Sequence, residues 1–187
     1  MATRHPSYTT YELSSKTWED FEKLFRKPGE WCNCQCMWFH REGPPPKAEQ
    51  RMASKERNEK NFQAQRDLVE RGRSHGILVY SDGDPIGWCQ YGLKNELPRV
   101  DHRPEYRKLS LDSGGENLWR STCLCVEKKY RNRGLASIGL RAAVSSIRKQ
   151  GGGIVEAYPT THKTTLTAHP WDGVDVQERR IQSSPLR

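Results

Sequence analysis

The segment that decides the fold of this protein lies at residues 126–136 and reads VEKKYRNRGLA. The apolar run at 118–126 predicts a long strand that leads into it. Beyond it, apolar residues at helical spacing predict an amphipathic helix, whose buried stripe contains Ala136, Leu140, Ala143, Val144 and Ile147. Glycines at 151–153 end that helix, and 154–158 is another strand candidate. The order strand, turn, helix, strand predicts a βαβ unit inside a mixed sheet.

The turn has the chemistry of an anion site. The first turn of a helix leaves backbone N–H groups without partners inside the helix, and the macrodipole adds positive potential there. Gly134 lacks a Cβ that would hinder close approach, and Arg131 and Arg133 add positive charge. An ordinary strand–helix connection and a nucleotide-binding loop of another kind remain alternatives. A Walker loop is disfavoured because no Gly-Lys-Ser/Thr follows, and the G-x-G-x-x-G spacing is absent.

The positive charge of the chain is concentrated at this turn. The formal net charge is +8, and residues 127–149 carry seven Lys or Arg against a single acid, Glu127. A solvated basic helix face would explain the outer residues as well as a ligand does. For the residues inside the turn, a bound anion is the better interpretation.

The remaining elements follow from shorter patterns. Strands are predicted at 8–13, 76–80 and 85–91, the last two joined by a hairpin turn at 81–84. Thr17 precedes a short helix whose apolar residues are Trp18, Phe21, Leu24 and Phe25. One or two exposed helices are expected between 47 and 73, and a long polar loop at 94–115. Residues 160–187 show no sustained periodicity and are compatible with one short strand or with none.

Composition indicates a cytoplasmic, non-membrane protein. No apolar stretch approaches the roughly 18 residues of a membrane helix, and the N-terminus has no apolar signal region. Cys89, Cys123 and Cys125 lie in apolar strand patterns, which favours buried reduced thiols over a disulfide framework.

Residues 126–136 resemble the V-x-x-x-Y-R-x-x-G-[IL]-[GA] segment of the GCN5-related N-acetyltransferase (GNAT) superfamily. The resemblance extends over roughly residues 8–159. Within one poorly characterised branch it includes Gly87-Trp88-Cys89, Leu97-Pro98-Arg99, 155–159 and the Cys- and Trp-rich stretch at 31–39. It implies an α/β fold with a central mixed sheet flanked by helices, and acetyl transfer from acetyl-CoA directly to a primary amine.

The resemblance also implies a cofactor site. In the superfamily, strand backbone groups at the positions of Leu124, Cys125 and Val126 pair with the pantetheine arm. The pyrophosphate is held by amides at the positions of Arg131, Asn132, Arg133, Gly134, Leu135 and Ala136. No catalytic residue is assigned, no metal is expected, and the acceptor is a small-molecule or protein amine. The loops at 31–46 and 94–115 are expected to line the acceptor site.

The family's usual last helix and hairpin, often with a tyrosine near the leaving thiolate, are not recognisable after Pro159. We therefore divide the chain into an acetyltransferase domain at 1–159 and an irregular, disordered or truncated tail at 160–187. This division leaves a catalytically degenerate CoA-binding relative as the second hypothesis. A basic nucleic-acid-binding module is a third and weaker one, because no recognised binding motif accompanies the charge.

Two further groups allow alternatives. Cys32, Cys34 and Cys36 with His40 could bind a metal, but their C-x-C-x-C spacing lacks a second pair. An apolar loop over the acceptor cleft is the simpler interpretation, and a redox-sensitive loop is a third. Glu156, beside the expected cleft, is a candidate general base or a structural hydrogen-bond partner.

Overall fold

The fold is built on one six-stranded sheet. The computed structural model describes residues 7–27, 35–102, 106–107, 117–158 and 179–183. The strands lie side by side in chain order, and all neighbours are antiparallel except β4 and β5, which are parallel. They are β1 (Tyr8–Glu12), β2 (His75–Ser81), β3 (Asp84–Leu93), β4 (Leu118–Val126), β5 (Gly153–Ala157) and β6 (Arg179–Ser183). The predicted mixed α/β sheet is confirmed, and β4 has the predicted bounds.

Four α-helices are described: α1 (Trp18–Phe25), α2 (Lys47–Gln50), α3 (Ser54–Glu70) and α4 (Leu135–Lys149). Helix α4 connects β4 to β5, so the predicted βαβ unit is confirmed. Of the one or two helices expected between 47 and 73, the structure shows two, and the second ends at Glu70. Among the described residues, no helix is long and apolar enough to cross a membrane.

The sheet is covered on both faces because its side chains alternate along each strand. On one face, Leu78, Tyr80 and Trp88 pack with the buried side of α1 and with Phe62 of α3. The rings of Phe21 and Trp88 meet edge to face, with centroids 4.9 Å apart. The other face contributes a second cluster of buried side chains that packs against α4: Ile77, Val79, Ile86, Cys89, Tyr91 and Trp119. The four apolar residues predicted for α1 are all buried.

The predicted stripe of α4 is partly wrong. Ala136 is exposed, and the helix turns Leu135, Gly139 and Ser146 toward the sheet together with Ala143 and Ile147. Gly139 faces the sheet because the backbone comes close there: an added Cβ would lie 3.3 Å from Cβ of Cys89. Ser146 is buried because its hydroxyl donates a hydrogen bond to a carboxylate oxygen of Glu12. Neither position has an apolar signal in the sequence.

Two other expectations need correction. Thr17 precedes α1 as predicted, but its hydroxyl donates to the carbonyl of Glu12 at 2.8 Å and makes no capping bond to the helix. The first part of the predicted polar loop is ordered into two 3-10 turns, 94–96 and 98–102. These turns form because Leu97 and Val100 are buried. Residues 103–105 and 108–116 lie outside the described residues.

Strand β6 contributes part of the segment after Pro159 to the sheet. It pairs antiparallel with β5 from Gly153–Ser183 to Ala157–Arg179. Of the two alternatives for 160–187, one short strand is therefore the one that the structure shows. The boundary at 159 between domain and tail stays a prediction.

The contact between β2 and Trp88 gives a test of the core. An added Cβ on Gly76 would lie 2.0 Å from Cη2 of Trp88. The indole of Trp88 is buried and packs against the aromatic side chains of α1. Because Trp88 cannot move without disturbing the aromatic cluster, Gly76→Ala is expected to lower the free energy of unfolding by about 3 kcal/mol. Urea denaturation measures the change.

Gly43→Ala is the matched control, since nothing lies within 4 Å of the position of its Cβ. That substitution is expected to change stability by less than about 0.5 kcal/mol. Equal stability of the two variants would show that Trp88 is not tightly packed on β2.

Candidate functional site

Strands β4 and β5 run side by side for four residue pairs, and β5 ends at the last of them. The last pair is Ser121 with Ala157, whereas β4 continues to Val126. Over this last stretch β4 stays paired with β3 on its other side. Among the described residues, the end of β4 is thus paired on one side only, and we take its open side as one wall of the candidate cleft.

A β-bulge lies where the pairing of β4 with β5 ends. Gln90 pairs with Cys123 and Tyr91 with Ser121, so Thr122 is the additional residue on β4. A bulge bends its strand and increases the local twist. It follows immediately after the last pair with β5, where β4 continues beyond the end of that strand. Bulges are common next to active sites because they redirect backbone groups.

The turn after β4 shows the backbone geometry of an anion site. Asn132 and Gly134 have φ angles of 61° and 77°, in the left-handed region, and Gly134 directly precedes α4. The first helical hydrogen bond runs from the N–H of Ile138 to the carbonyl of Gly134 at 3.2 Å. The N–H groups before Ile138 in the first turn of α4 are therefore available to a ligand. Leu135 is buried and anchors the start of the helix.

Arg131 and Arg133 are exposed, but the side chain of each contacts a neighbouring residue. Nε of Arg131 donates to the carbonyl of Val126 at 3.0 Å, which fixes the turn against the end of β4. The guanidinium of Arg133 lies 5.4 Å from the ring centroid of Tyr130. Both positive charges are thereby held close to the start of α4, where the helix dipole has the same sign.

The structure brings the expected cofactor residues into one continuous path. Leu124, with 41% of its surface exposed, and the half-buried Cys125 and Val126 lie in the wall of the cleft. Residues 131–136 of the turn follow within ten positions of Val126. All of them are exposed except Leu135, which is buried. Which of these residues bind a cofactor stays a prediction.

A buried ionic cluster lies where the β4–β5 pairing ends, and of its charged members the sequence analysis considered only Glu156. Arg120 of β4 is fully buried and donates to both carboxylate oxygens of Asp101 at 2.6 and 2.9 Å. It also donates to the carbonyl of Leu97 at 2.9 Å. Its Nε lies 3.6 Å from a carboxylate oxygen of Glu156, the residue opposite it on β5. The only sequence signal was an arginine inside an apolar strand pattern.

Glu156 has the surroundings of a structural group. It is 1% exposed and accepts hydrogen bonds from the hydroxyls of Tyr158, at 2.7 Å, and of Tyr106, at 3.0 Å. Burial, followed by the charge of Glu156, raises the pKa of Tyr158 well above its usual value, although nearby Arg120 opposes this shift. Tyr158 therefore stays protonated and donates to Glu156. Of the two roles considered for Glu156, this arrangement favours the structural hydrogen-bond partner.

A second buried polar chain links the N-terminal loop to the bulge. Gln90 of β3 accepts from the hydroxyl of Thr122 at 3.0 Å and donates to the carbonyl of Cys36 at 3.0 Å. Its amide nitrogen also lies 3.1 Å from Nε2 of His40, whose Nδ1 lies 2.9 Å from the carbonyl of Glu96. Burial lowers the pKa of His40 to about 4, so the ring is neutral and carries its proton on Nδ1.

These contacts bear on the metal hypothesis for the cysteine cluster. Cys32 and Cys34 lie outside the described residues. Cys36 accepts a hydrogen bond from Nε1 of Trp88 at 3.0 Å, and both ring nitrogens of His40 have hydrogen-bond partners. Within the described residues, no group of three His, Cys, Asp or Glu side chains is placed to hold a metal. The contacts of residues 35–40 are those of a packed loop.

Comparison with known proteins shows which family the chain resembles. Residues 10–170 match the family model of the Acetyltransferase (GNAT) family. An aminoglycoside N-acetyltransferase solved with CoA superimposes with a TM-score of 0.53 at 11% identity, covering 86% of this chain and 82% of that one. The GNAT family N-acetyltransferase YhbS of Escherichia coli, also solved with CoA, gives 0.53 at 14% identity, covering 98% and 86%. No curated protein sequence is significantly similar.

The Arg120 cluster gives a pH-dependent prediction. Burial raises the pKa of Asp101, but the hydrogen bonds and charge of Arg120 outweigh it and hold the pKa below its usual value. A lowered carboxylate pKa stabilises the fold above the ordinary pKa near 4 and loses that contribution as the pH falls through the folded-state value. Asp101→Asn is expected to cost about 3 kcal/mol near neutral pH, because it leaves Arg120 buried with a partner removed.

The same substitution should make the acid-side loss of stability shallower than in the wild type, as urea unfolding from neutral to strongly acidic pH would show. Asp84→Asn is the control: Asp84 pairs with Lys23 at 2.8 Å, but both side chains are more than half exposed. Solvent screens that pair, so its loss should matter far less. Equal effects of the two substitutions would contradict the role given to Arg120.

Proposed function

The chain belongs to the GNAT acetyltransferase family, and on that basis we propose that it transfers an acetyl group from acetyl-CoA directly to a primary amine. The observation that carries this proposal is the continuity of two features within residues 122–136. Strand β5 ends opposite Ser121, and β4 continues beyond it into the turn before α4, whose backbone geometry suits an anion. An extended molecule with a pyrophosphate at one end and a thioester at the other fits this path.

We assign the pyrophosphate and the pantetheine arm of CoA to two neighbouring segments of the chain. We place the pyrophosphate on the N–H groups of residues 131–136, where helix dipole and arginine charge have the same sign. The pantetheine arm then runs beside Leu124, Cys125 and Val126. This placement brings the thioester to the bulge at Thr122, where β4 has just passed the end of β5.

The reaction requires little chemistry from the protein. The amine nitrogen attacks the thioester carbonyl carbon, the C–S bond breaks, and the thiolate of CoA leaves. One proton is lost from the attacking nitrogen and one is taken up by the sulfur. The protein contributes by positioning the two reactants and by polarising the carbonyl. A covalent acyl-cysteine is not required, so Cys123 and Cys125 need no nucleophilic role.

The catalytic base and the acceptor are not assigned to residues. Glu156 is buried and its carboxylate already accepts hydrogen bonds from the hydroxyls of Tyr106 and Tyr158, so it is poorly placed to take a proton from the acceptor. The acceptor is a small-molecule or protein amine, and the 31–46 and 94–115 loops are the segments that we expect to contact it. The buried thiols of Cys36 and Cys89 fit a reducing compartment, and we propose the cytoplasm.

Two alternatives remain as outcomes of one experiment. Release of free thiol from acetyl-CoA in the presence of a panel of amines supports the enzyme. CoA binding without thiol release for any amine supports a degenerate CoA-binding relative. Salt-sensitive retention of DNA without any effect of CoA supports the nucleic-acid-binding module.

The anion turn can be tested by one substitution. Gly134→Trp places a bulky side chain at the start of α4, where nothing lies within 4 Å of the added Cβ and the phosphates are expected. We expect the affinity for CoA, measured by calorimetry, to fall by about a hundredfold or more, because several charge-assisted hydrogen bonds are blocked.

Gly151→Trp is the matched control at the other end of α4. Gly151 also has a positive φ, 101°, and open space around its Cβ, so both substitutions carry a similar backbone strain of about 1–2 kcal/mol. Its effect on CoA affinity should be negligible. An unchanged affinity in Gly134→Trp would overturn the assignment of the turn.

A further inference from the structure

One carboxylate lies between the end of β4 and the basic turn at residues 131–136. Glu127 is the single acidic residue between 127 and 149 and connects β4 to the turn. Its main chain is fixed at both ends: its N–H donates to the carbonyl of Ile86 at 2.8 Å, and its carbonyl accepts from the N–H of Tyr130 at 2.8 Å. Its side chain is 10% exposed. A buried negative charge four residues before Arg131 opposes the binding of an anion.

Two lysines neutralise this carboxylate, and they differ in burial. Lys129 lies 3.2 Å from Oε1 of Glu127 but is 68% exposed. Lys27 donates to Oε2 at 2.8 Å and is 25% exposed. Burial raises the pKa of Glu127, but the hydrogen bonds from Lys27 and Lys129 outweigh it and hold the pKa below its usual value. Glu127 is therefore ionised at neutral pH, and Lys27 is its less solvent-screened partner.

The position of Lys27 is set by the hydrophobic core. It lies two residues after the end of α1, whose Phe21 and Leu24 are fully buried against the sheet. Its ammonium group also donates to the carbonyl of Pro85 at 3.0 Å, at the start of β3. Three elements thus hold this charge in place: the end of α1, the start of β3 and the end of β4.

We propose that Lys27 is a positioning residue of the CoA site. It raises the affinity of the protein for CoA by neutralising Glu127, which lies beside the turn at residues 131–136. This inference rests on the proposed function, since it takes CoA as the anion. Lys27 does not contact the ligand; it acts through the Glu127 carboxylate. The ion pair joins residues 100 positions apart and makes cofactor affinity depend on the docking of α1.

The test uses the opposite charges of Lys27 and Glu127, because removing either one should shift the affinity for CoA in opposite directions. Lys27→Met uncovers the carboxylate and should raise the Kd for CoA about fivefold in calorimetry. Glu127→Gln removes the carboxylate, leaves both lysines beside the turn, and should lower the Kd about fivefold. The double variant should return close to the wild-type value. A purely structural ion pair would instead weaken CoA binding when either partner is removed.

Lys23→Met is the matched control. Lys23 lies one turn earlier on α1 and also contacts the start of β3, through Asp84 at 2.8 Å. Its substitution removes the same formal charge without exposing Glu127, so the Kd should change by less than about twofold. The single-substitution effects at Lys27 and Glu127 should also shrink as salt is added, because added ions screen both charges.

The outcomes separate the two proposals. Failure of the wild-type protein to bind CoA overturns the proposed function and this inference together. Binding by the wild type, with Lys27→Met and Glu127→Gln shifting the Kd in the same direction, overturns the inference alone. A Lys27→Met effect no larger than that of Lys23→Met does the same. Should Lys27→Met not fold, Glu127→Gln decides: tighter binding supports the inference, and unchanged or weaker binding overturns it.

Discussion

The end of the β4–β5 pairing at Ser121 is the constraint on which the rest of the structure depends. Adjacent strands satisfy each other's backbone groups only where both are present. Here β5 ends opposite Ser121, while β4 continues through the bulge at Thr122 to Val126. A strand that outruns its neighbour in this way must be held by other elements. Strand β4 is held by β3 and by the two clusters on the faces of the sheet, and β5 is held by β6.

The region where the β4–β5 pairing ends is held by charge as well as by apolar contacts. Arg120 and Glu156 face each other across the last part of the β4–β5 ladder, and Asp101 neutralises Arg120 from the 3-10 turn at 98–102. A buried arginine is costly unless its charge is paired. The pairing of Arg120 with Asp101 ties the segment after β3 to the last part of the β4–β5 ladder, beside the apolar cluster that contains Leu97 and Tyr158. The same region therefore supplies both the stability of the cleft and the segment expected to meet the acceptor.

Local patterns predicted the βαβ unit, because strand, turn and helix each leave a periodic signal in neighbouring residues. The buried face of α4 was only partly predictable, since Gly139 and Ser146 face the sheet for reasons of backbone approach and hydrogen bonding. The bulge depends on the register between β3 and β4, which one strand's sequence does not contain. The pairs Arg120–Asp101 and Lys27–Glu127 join positions 19 and 100 residues apart, so only the folded chain brings them together.

A crystal structure of this protein with bound CoA would show where the cofactor lies. We predict pyrophosphate oxygens about 3 Å from main-chain nitrogens of residues 131–136, with the pantetheine arm beside Leu124, Cys125 and Val126 on the side of β4 that lies beyond the end of β5. CoA bound elsewhere on the chain, or a pyrophosphate held away from the start of α4, would contradict this prediction.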